Sequence, residues 1–251
     1  MDGKEQISIL SIQSAPANWA RFWAPLTVPT RTIFTNDDAL IVALALCFSL
    51  LAGLHLDVAF YEVSQTLPRN SVEFFAIITE AGKSEWTLVP AGVFLLCMLI
   101  VRKDAVDFFR LWIGHAAFIF FTGAASGLLC NFFKNLIGRA RPHLYAEYGP
   151  AAFSPFELSS TWQSWPSGHS TTIAAFFTWL AFMVPAFRWG FLAMALVFGL
   201  SRVIVNAHFL SDVIAGLALG YLFTLITARY CVQRNLLFKP VPGNVLMMVQ
   251  R

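Results

Sequence analysis

The sequence predicts an all-α integral membrane protein with six transmembrane helices in one bundle. Hydrophobic residues make up 57% of the 251-residue chain and charged residues only 12%, whereas a soluble domain carries about 25% charged residues. The mean hydropathy is +0.65. The net charge of +3 is too small to indicate a nucleic-acid partner. The partner that we expect is therefore the lipid bilayer.

Six apolar runs, separated by polar connections, predict the helices of this bundle. The third run is the longest and is rich in small residues, which suit close helix packing. The second contains Pro90 and is short for a bilayer of about 30 Å, so we expect it to begin a few residues earlier. A short interfacial helix is expected around residues 73–80, where apolar and acidic residues alternate at helical spacing. The expected spans cover residues 39–56, 86–101, 111–133, 167–185, 189–205 and 213–230.

The bundle is flanked by two polar segments. Residues 1–36 lack the continuous apolar core of a signal peptide and are expected to form a cytoplasmic or interfacial segment, with a disordered tail as the alternative. Residues 37–231 then form the six-span domain and residues 232–251 a tail. Eleven of the 17 Lys and Arg residues lie at the termini or after the second and fourth spans. Because such residues mark the cytoplasmic side, both termini are expected in the cytoplasm.

No spacing of cysteines or carboxylates predicts a metal site. The four cysteines lie in or beside apolar runs, without disulfide-framework or metal-ligand spacing. The acidic residues Asp57, Glu62 and Glu80 also lack the spacing of a metal site. We therefore expect no metal and no other cofactor.

Three polar clusters are expected to face one compartment. They cover residues 134–142 after the third span, residues 165–170 before the fourth, and residues 201–212 between the fifth and the sixth. Odd-numbered spans leave the membrane on the side from which even-numbered spans enter it. The three clusters are therefore expected on the same side of the bilayer.

Basic residues in these clusters predict an anion site. Lys134 and Arg141 are seven residues apart, so they are expected on one helical face until Pro142 ends the helix. Arg202 comes from the third cluster. Backbone N–H groups at a helix start bind anions, and Gly168 lets a ligand approach the backbone there. A phosphate fits such a site because arginine side chains match its oxygens.

Two histidines are expected at this site, and only one has a carboxylate partner. His208 and Asp212 are four residues apart and would share a helical face. A carboxylate orients an imidazole and makes it a better nucleophile. The asymmetry predicts that His208 attacks phosphorus and that His169 protonates the leaving oxygen. The alternative is that His208 and Asp212 only join two helix ends.

Other polar residues in the chain are predicted to have lesser roles. Arg139 lies well round the helix from Lys134, so we expect a headgroup or surface contact. His143 is expected to be solvated, and His55 and His115 to pack. The aromatic-rich loop 145–165 either shapes headgroup selection or forms an interfacial belt.

The three clusters resemble the motifs of the type 2 phosphatidic acid phosphatase family. The matching pattern is a Lys followed seven residues later by Arg-Pro, then Pro-Ser-Gly-His, then Ser-Arg with His and Asp beyond it. The resemblance implies a metal-independent lipid phosphate phosphatase with a phosphohistidine intermediate. It matches His208 to the nucleophile, Asp212 to its partner and His169 to the general acid. The positions matched to phosphate binding are Lys134, Arg141, Ser167, Gly168 and Arg202. Soluble vanadium-dependent haloperoxidases share these motifs, but six apolar spans argue against that branch.

The resemblance favours a lipid substrate without fixing it. The compact six-span form with a long outer loop is similar to the lipid A phosphatases of Gram-negative bacteria, so lipid A is favoured. Undecaprenyl diphosphate, phosphatidylglycerol phosphate and phosphatidic acid are alternatives, as is phosphoryl transfer between lipids. A phospholipid-binding protein without catalysis is disfavoured because binding needs neither a nucleophile nor an acid. We expect a bacterial inner-membrane location with the site facing the periplasm.

Overall fold

The computed structural model describes residues 33–240 and 246–248, which form a bundle of helices and one short antiparallel strand pair. The segment 1–32 lies outside the described residues, together with our expectation for it. The helices are α1 (Asn36–His55), α2 (Asp57–Thr66), α3 (Arg69–Ala81), α4 (Glu85–Ile100), α5 (Lys103–Ile137), α6 (Tyr145–Tyr148), α7 (Gly168–Met183), α8 (Arg188–Ile204) and α9 (Leu210–Gln233). The strands β1 (Phe238–Pro240) and β2 (Leu246–Met248) pair with Lys239 opposite Met247.

Helices α7 and α9 form the centre of the bundle, with α1, α5 and α8 around them. Small residues allow this close packing. At Gly220 of α9, an added Cβ would lie 2.0 Å from the carbonyl oxygen of Thr171 on α7. Towards the other end of α9, Leu225 and Ala228 are fully buried in a cluster with Phe118 of α5. The centre of the bundle is therefore fixed by side-chain size as well as by hydrophobicity.

A buried ion pair joins the start of α1 to the end of α9. Thr35 caps α1, and its backbone N–H donates to the carboxylate of Asp38 at 2.8 Å. Arg229 donates from Nη1 to the same carboxylate, and both side chains are buried. Since buried charges are costly unless paired, this contact fixes the two helices at one end of the bundle.

Every predicted span coincides with a helix, and the all-helical membrane architecture is confirmed. Within the part of the chain that the structure describes, four stretches are long and apolar enough to cross a membrane. They are Asn36–His55, Arg69–Ile100, Phe108–Ile137 and Leu210–Gln233. Helices α7 and α8 have 16 and 17 residues, fewer than the roughly 20 usual for a spanning helix. The number of six spans therefore stays a prediction.

The candidate span that contains α4 begins before residue 86, as expected, and reaches back to Arg69. Helix α4 begins at Glu85, and the preceding residues form the separate helix α3. The helix expected around residues 73–80 is confirmed by α3. Gly82 follows α3 and lies against α8, where an added Cβ would be 2.8 Å from Phe198 Cδ1. This close contact places the end of α3 beside the third polar cluster.

Candidate active site

The three polar clusters meet where α5 ends, α7 begins and α8 connects to α9. Helix α5 ends at Ile137, and Gly138 adopts a left-handed conformation with a φ of 63°. An added Cβ on Gly138 would lie 1.8 Å from the carbonyl oxygen of Ser154. Glycine is therefore required here both by the left-handed backbone conformation and by the lack of space for a side chain. The chain leaves the helix at this point and runs towards α7 and α9.

His208 and Asp212 lie together, as predicted, but they do not share a helical face. His208 belongs to the connection before α9, and Asp212 lies in the first turn of that helix. The Asp212 carboxylate caps α9 by accepting a hydrogen bond from the Phe209 N–H at 2.9 Å. Its Oδ2 lies 3.7 Å from His208 Nδ1, beyond a direct hydrogen bond. The pair is therefore fixed by a helix cap rather than by helical periodicity.

Ser164 lies between the two partners. Its hydroxyl donates to Asp212 Oδ2 at 2.6 Å and lies 3.4 Å from His208 Nδ1. The Ser164 N–H donates to the carbonyl oxygen of Arg139 at 3.0 Å, which fixes the position of this loop residue. Ser164 was not predicted at the site, because a serine in a long loop carries no signal of its own.

The surroundings of His208 favour a neutral imidazole. The residue is only 2% exposed and Asp212 is fully buried. Burial lowers the pKa of His208 well below its ordinary value, although the Asp212 carboxylate raises it. A neutral imidazole with Nδ1 directed at a carboxylate has Nε2 as its nucleophilic nitrogen.

Arg139 is not a surface contact, and this prediction was wrong. Its side chain is 6% exposed and lies between two fully buried carboxylates, those of Asp57 and Asp212. The prediction assumed that α5 continues past Gly138, where the chain in fact turns. Asp57, at the start of α2, was also missed because no spacing links it to the later clusters.

Ser167 and Gly168 form the start of α7 beside Lys134. The Ser167 N–H donates to the backbone oxygen of Asp212 at 2.9 Å, and its hydroxyl accepts from the Ser170 N–H at 3.4 Å as the helix cap. An added Cβ on Gly168 would be 3.7 Å from Lys134 Nζ. Lys134, which is 6% exposed, therefore lies against the helix start where an anion is favoured.

Arg141 reaches the site by a different route from the one predicted. Because α5 ends at Ile137, Arg141 does not share a helical face with Lys134. Its N–H donates to the carbonyl oxygen of Thr161 at 2.9 Å, so the loop 142–165 fixes its backbone. Lys134 is nevertheless within electrostatic range of both Arg141 and Arg202. The two residues converge through a turn and a loop.

Arg202 donates a hydrogen bond to a residue of α3, a helix that was not predicted to reach the site. Its Nη1 donates to Thr79 Oγ1 at 3.0 Å, and the Ser201 hydroxyl donates to the same atom at 3.0 Å. Thr79 is the third residue from the end of α3. The close packing of α3 on α8 is what brings this hydroxyl to the arginine.

His169 lies among the cations and has a free ring nitrogen. Its Nε2 is buried without a hydrogen-bond partner among the described residues. The positively charged groups within electrostatic range of its ring are Arg202, Lys134, Lys83 and Arg141. Lys83 was not predicted at the site; it follows α3 and pairs with Glu80 at 2.5 Å. The surroundings of His169 are therefore cationic, whereas His208 lies beside a carboxylate.

His143, His115 and the long loop 145–165 are the features that were predicted to have lesser roles. His143 is exposed in a turn that follows Arg141. His115 Nδ1 accepts from Trp179 Nε1 at 3.4 Å, which is a packing contact between α5 and α7. The loop lies on the end of α5, where the Phe156 N–H donates to Asn135 O at 2.6 Å. Its role in headgroup selection stays a prediction.

These features define a membrane enzyme for phosphoryl transfer. A neutral imidazole beside a carboxylate can act as a nucleophile, and a second imidazole can act as a proton donor. Buried cations and a helix N-terminus supply the charge that a phosphoryl group requires. Comparison with known proteins identifies the family.

Residues 115–236 match the PAP2 superfamily. The chain is 42% identical over 176 residues to Lipid A 1-phosphatase of Rhizobium johnstonii, covering 67% of this chain and 71% of that protein. It is 42% identical over 186 residues to Lipid A 1-phosphatase of Rhizobium etli, covering 70% and 78%. The chain belongs to the PAP2 superfamily, and the prediction of a membrane lipid phosphatase is confirmed.

A solved structure shares the fold at lower identity. The crystal structure of a transmembrane PAP2 type phosphatidylglycerolphosphate phosphatase from Bacillus subtilis matches with a TM-score of 0.55 at 22% identity. The match covers 77% of this chain and 95% of that one. The helices and the bacterial relatives support a bacterial membrane protein.

Proposed function

We propose that this phosphatase hydrolyses a phosphate of lipid A through a phosphohistidine intermediate, without a metal. The mechanism rests on one observation, the buried pair of His208 and Asp212 beside the start of α7. The choice of lipid A rests on the two Rhizobium relatives, which are both named Lipid A 1-phosphatase. Their name also favours the 1-phosphate as the group removed.

In the first step, Nε2 of His208 attacks phosphorus and the bond to the lipid oxygen breaks. His169 gives a proton to that oxygen, so the lipid leaves as an alcohol. The imidazole of His208 becomes cationic as it takes the phosphoryl group, and Asp212 stabilises that charge. Lys134, Arg141 and Arg202 bind the phosphoryl oxygens, together with the backbone N–H of Gly168, and Ser167 caps the helix start that faces them.

In the second step, water attacks the phosphorus of the phosphohistidine. His169, now neutral, accepts the proton of that water, and the bond between phosphorus and nitrogen breaks. Inorganic phosphate leaves and His208 returns to its neutral form. The cycle consumes one water and needs no other reactant.

We further propose that six helices cross the membrane and that the site faces the periplasm. The distribution of Lys and Arg supports cytoplasmic termini. The short helices α7 and α8 then span the bilayer inside the bundle, where α9, α5 and α3 contact them. A water-facing site admits the phosphate while the acyl chains stay in the bilayer.

Phosphate release in the presence of EDTA tests the mechanism and the substrate. Purified protein in detergent is given lipid A, undecaprenyl diphosphate, phosphatidylglycerol phosphate or phosphatidic acid. We expect release to be fastest from lipid A and to be abolished by His208→Ala. The control is Glu62→Gln, which changes an exposed carboxylate on α2 and is expected to keep full activity.

Three outcomes would contradict parts of this proposal. Loss of activity with EDTA excludes the metal-independent mechanism. Full activity in His208→Ala excludes His208 as the nucleophile. Transfer of the phosphate to a second lipid, without free phosphate, shows a transferase instead of a hydrolase.

Cysteine labelling tests the orientation. In a background with the four native cysteines changed to alanine, Glu157→Cys in the long loop is expected to react with an impermeant reagent applied from the periplasm. Asp104→Cys, exposed near the start of α5, is expected to react only after the membrane is opened. The reverse pattern would show that the site faces the cytoplasm.

A further inference from the structure

Arg139 connects the Asp212 carboxylate to a second carboxylate that the mechanism does not use. Its Nη1 donates to Asp212 Oδ1 at 2.6 Å, and its Nη2 donates to Asp57 Oδ2 at 2.8 Å. The guanidinium also lies over the ring of Phe209 at 4.5 Å. A planar guanidinium bonded on two edges has a fixed orientation, and Asp212 Oδ1 is fixed with it.

Asp57 also binds the first turn of α9 directly. Its Oδ1 accepts from the Ser211 N–H at 2.9 Å and its Oδ2 from the Ser211 hydroxyl at 2.5 Å. The Ser211 hydroxyl in turn lies 2.6 Å from Arg139 Nη1. Asp57, Arg139 and the first turn of α9 therefore form one hydrogen-bonded unit behind Asp212.

The charges of this unit bear on the nucleophile. Arg139 alone would neutralise Asp212 and weaken its hold on an imidazolium. With Asp57 included, two carboxylates share one guanidinium and leave one net negative charge, which the imidazolium formed at His208 offsets. Burial lowers the pKa of Arg139, but the carboxylates of Asp212 and Asp57 raise it by more. The guanidinium therefore stays charged.

We propose that Asp57 and Arg139 are positioning residues that act on His208 through Asp212. Arg139 orients the carboxylate so that Oδ2 faces His208, and Asp57 maintains the negative charge that stabilises the imidazolium in the transition state. The inference rests on the proposed role of His208 as the nucleophile. It assigns a function to a carboxylate about 150 residues before α9, outside all three motifs.

Asp57→Asn is the decisive variant because it removes the charge and keeps the shape. We expect kcat to fall about ten- to a hundredfold, a loss of the size seen when the hydrogen-bond partner that orients a metal-bound imidazole is changed. KM is expected to stay the same, because the cations that bind phosphate are untouched. Ser211→Ala is the matched control, since it removes the hydroxyl that bonds to both Asp57 and Arg139 and leaves all charges in place. We expect its kcat to be within about threefold of wild type.

A double variant shows whether Asp57 acts through Arg139. In an Arg139→Gln background, Asp57→Asn is expected to give no further fall in kcat, because the coupling is already lost. Equal losses in Asp57→Asn and Ser211→Ala would overturn the proposal, since they would indicate a purely structural tie. A raised KM with unchanged kcat in Asp57→Asn would also overturn it.

The comparison uses whichever phosphorylated lipid the wild type hydrolyses fastest. Failure of lipid A as a substrate therefore overturns the proposed substrate and leaves the test of Asp57 intact. Thermal unfolding of each variant is recorded in parallel, and kcat is divided by the fraction of protein that is folded at the assay temperature. A fall in kcat that disappears after this correction counts against the proposal.

Discussion

Gly216 of α9 lies so close to α7 that an added Cβ would be 2.4 Å from the carbonyl oxygen of Ser167. The same short region carries the hydrogen bond from the Ser167 N–H to the Asp212 backbone oxygen at 2.9 Å. The start of α7 and the partner of His208 are therefore aligned by one helix contact. The absence of a side chain at Gly216 of α9 allows the start of α7, where phosphate is expected to bind, to lie against Asp212 and His208.

Gly216→Ala is expected to separate α7 from α9 and to lower activity. Overpacking of this kind costs about 1–3 kcal/mol, more than the roughly 1 kcal/mol that alanine gains over glycine in a helix. We expect kcat/KM to fall about tenfold, which corresponds to a barrier raised by about 1.4 kcal/mol. Phosphate release and thermal unfolding in detergent measure the two effects.

Gly190→Ala is the control for this change. Gly190 lies in α8, and an added Cβ there would have no atom within 4 Å among the described residues. We expect full activity and equal or higher thermal stability. A similar loss in both variants would show that helix flexibility, rather than the contact with Ser167, matters.

Ser164→Ala is expected to loosen the pairing of His208 with Asp212. The variant removes the 2.6 Å hydrogen bond to Asp212 Oδ2 and leaves Arg139 and the α9 cap in place. A hydrogen bond to a charged group contributes about 1.5–3 kcal/mol, so kcat is expected to fall roughly tenfold or more. Ser160→Ala, an exposed change in the same loop, is the control, and an unaffected Ser164→Ala would contradict the bridging role.

The buried His208 is expected to make stability depend on pH. Because burial lowers its pKa, the folded protein keeps His208 neutral, while the unfolded chain takes up a proton below about pH 6.5. Stability is therefore full above that pH and falls as the pH is lowered, by up to about 1.4 kcal/mol per pH unit. Thermal unfolding of wild type and His208→Gln between pH 8 and 5 measures this, and parallel curves would contradict it.

Much of this site could be predicted from the sequence because its motifs are local. His208 and Asp212, or Ser167 and His169, are close in the chain, so short patterns reveal them. The residues predicted to meet do meet, but the local structure predicted to bring them together was partly wrong. Lys134 and Arg141 were expected on one helical face, but Gly138 ends α5 between them.

The residues that were missed are those whose partners are distant in the chain. Asp57 meets Arg139 and Ser211 only because α2 packs near the start of α9. Thr79 meets Arg202 because α3 packs on α8. No periodicity or spacing encodes such contacts, so a single sequence contains no signal for them.

Thr79→Val is expected to weaken phosphate binding by releasing Arg202. Valine keeps the shape of threonine and removes the hydroxyl that accepts from Arg202 Nη1 at 3.0 Å. We expect KM to rise about fivefold, for a loss of about 1 kcal/mol, with a smaller change in kcat. Thr79→Ser keeps the hydroxyl and is expected to behave as wild type, whereas equal KM values in both variants would exclude this role for Thr79.

Arg229→Gln is expected to lower stability without changing the chemistry. Arg229 lies 17 residues after Asp212 on α9, about 25 Å away at 1.5 Å per residue. Removing one partner of a buried ion pair costs about 3–5 kcal/mol because the other charge stays buried. We therefore expect a large fall in the temperature of unfolding and an unchanged kcat per phosphohistidine-forming site. The double variant Asp38→Asn with Arg229→Gln is expected to recover most of the stability, since it leaves no unpaired charge. If the double variant is as unstable as Arg229→Gln alone, the loss comes from packing rather than from the buried carboxylate.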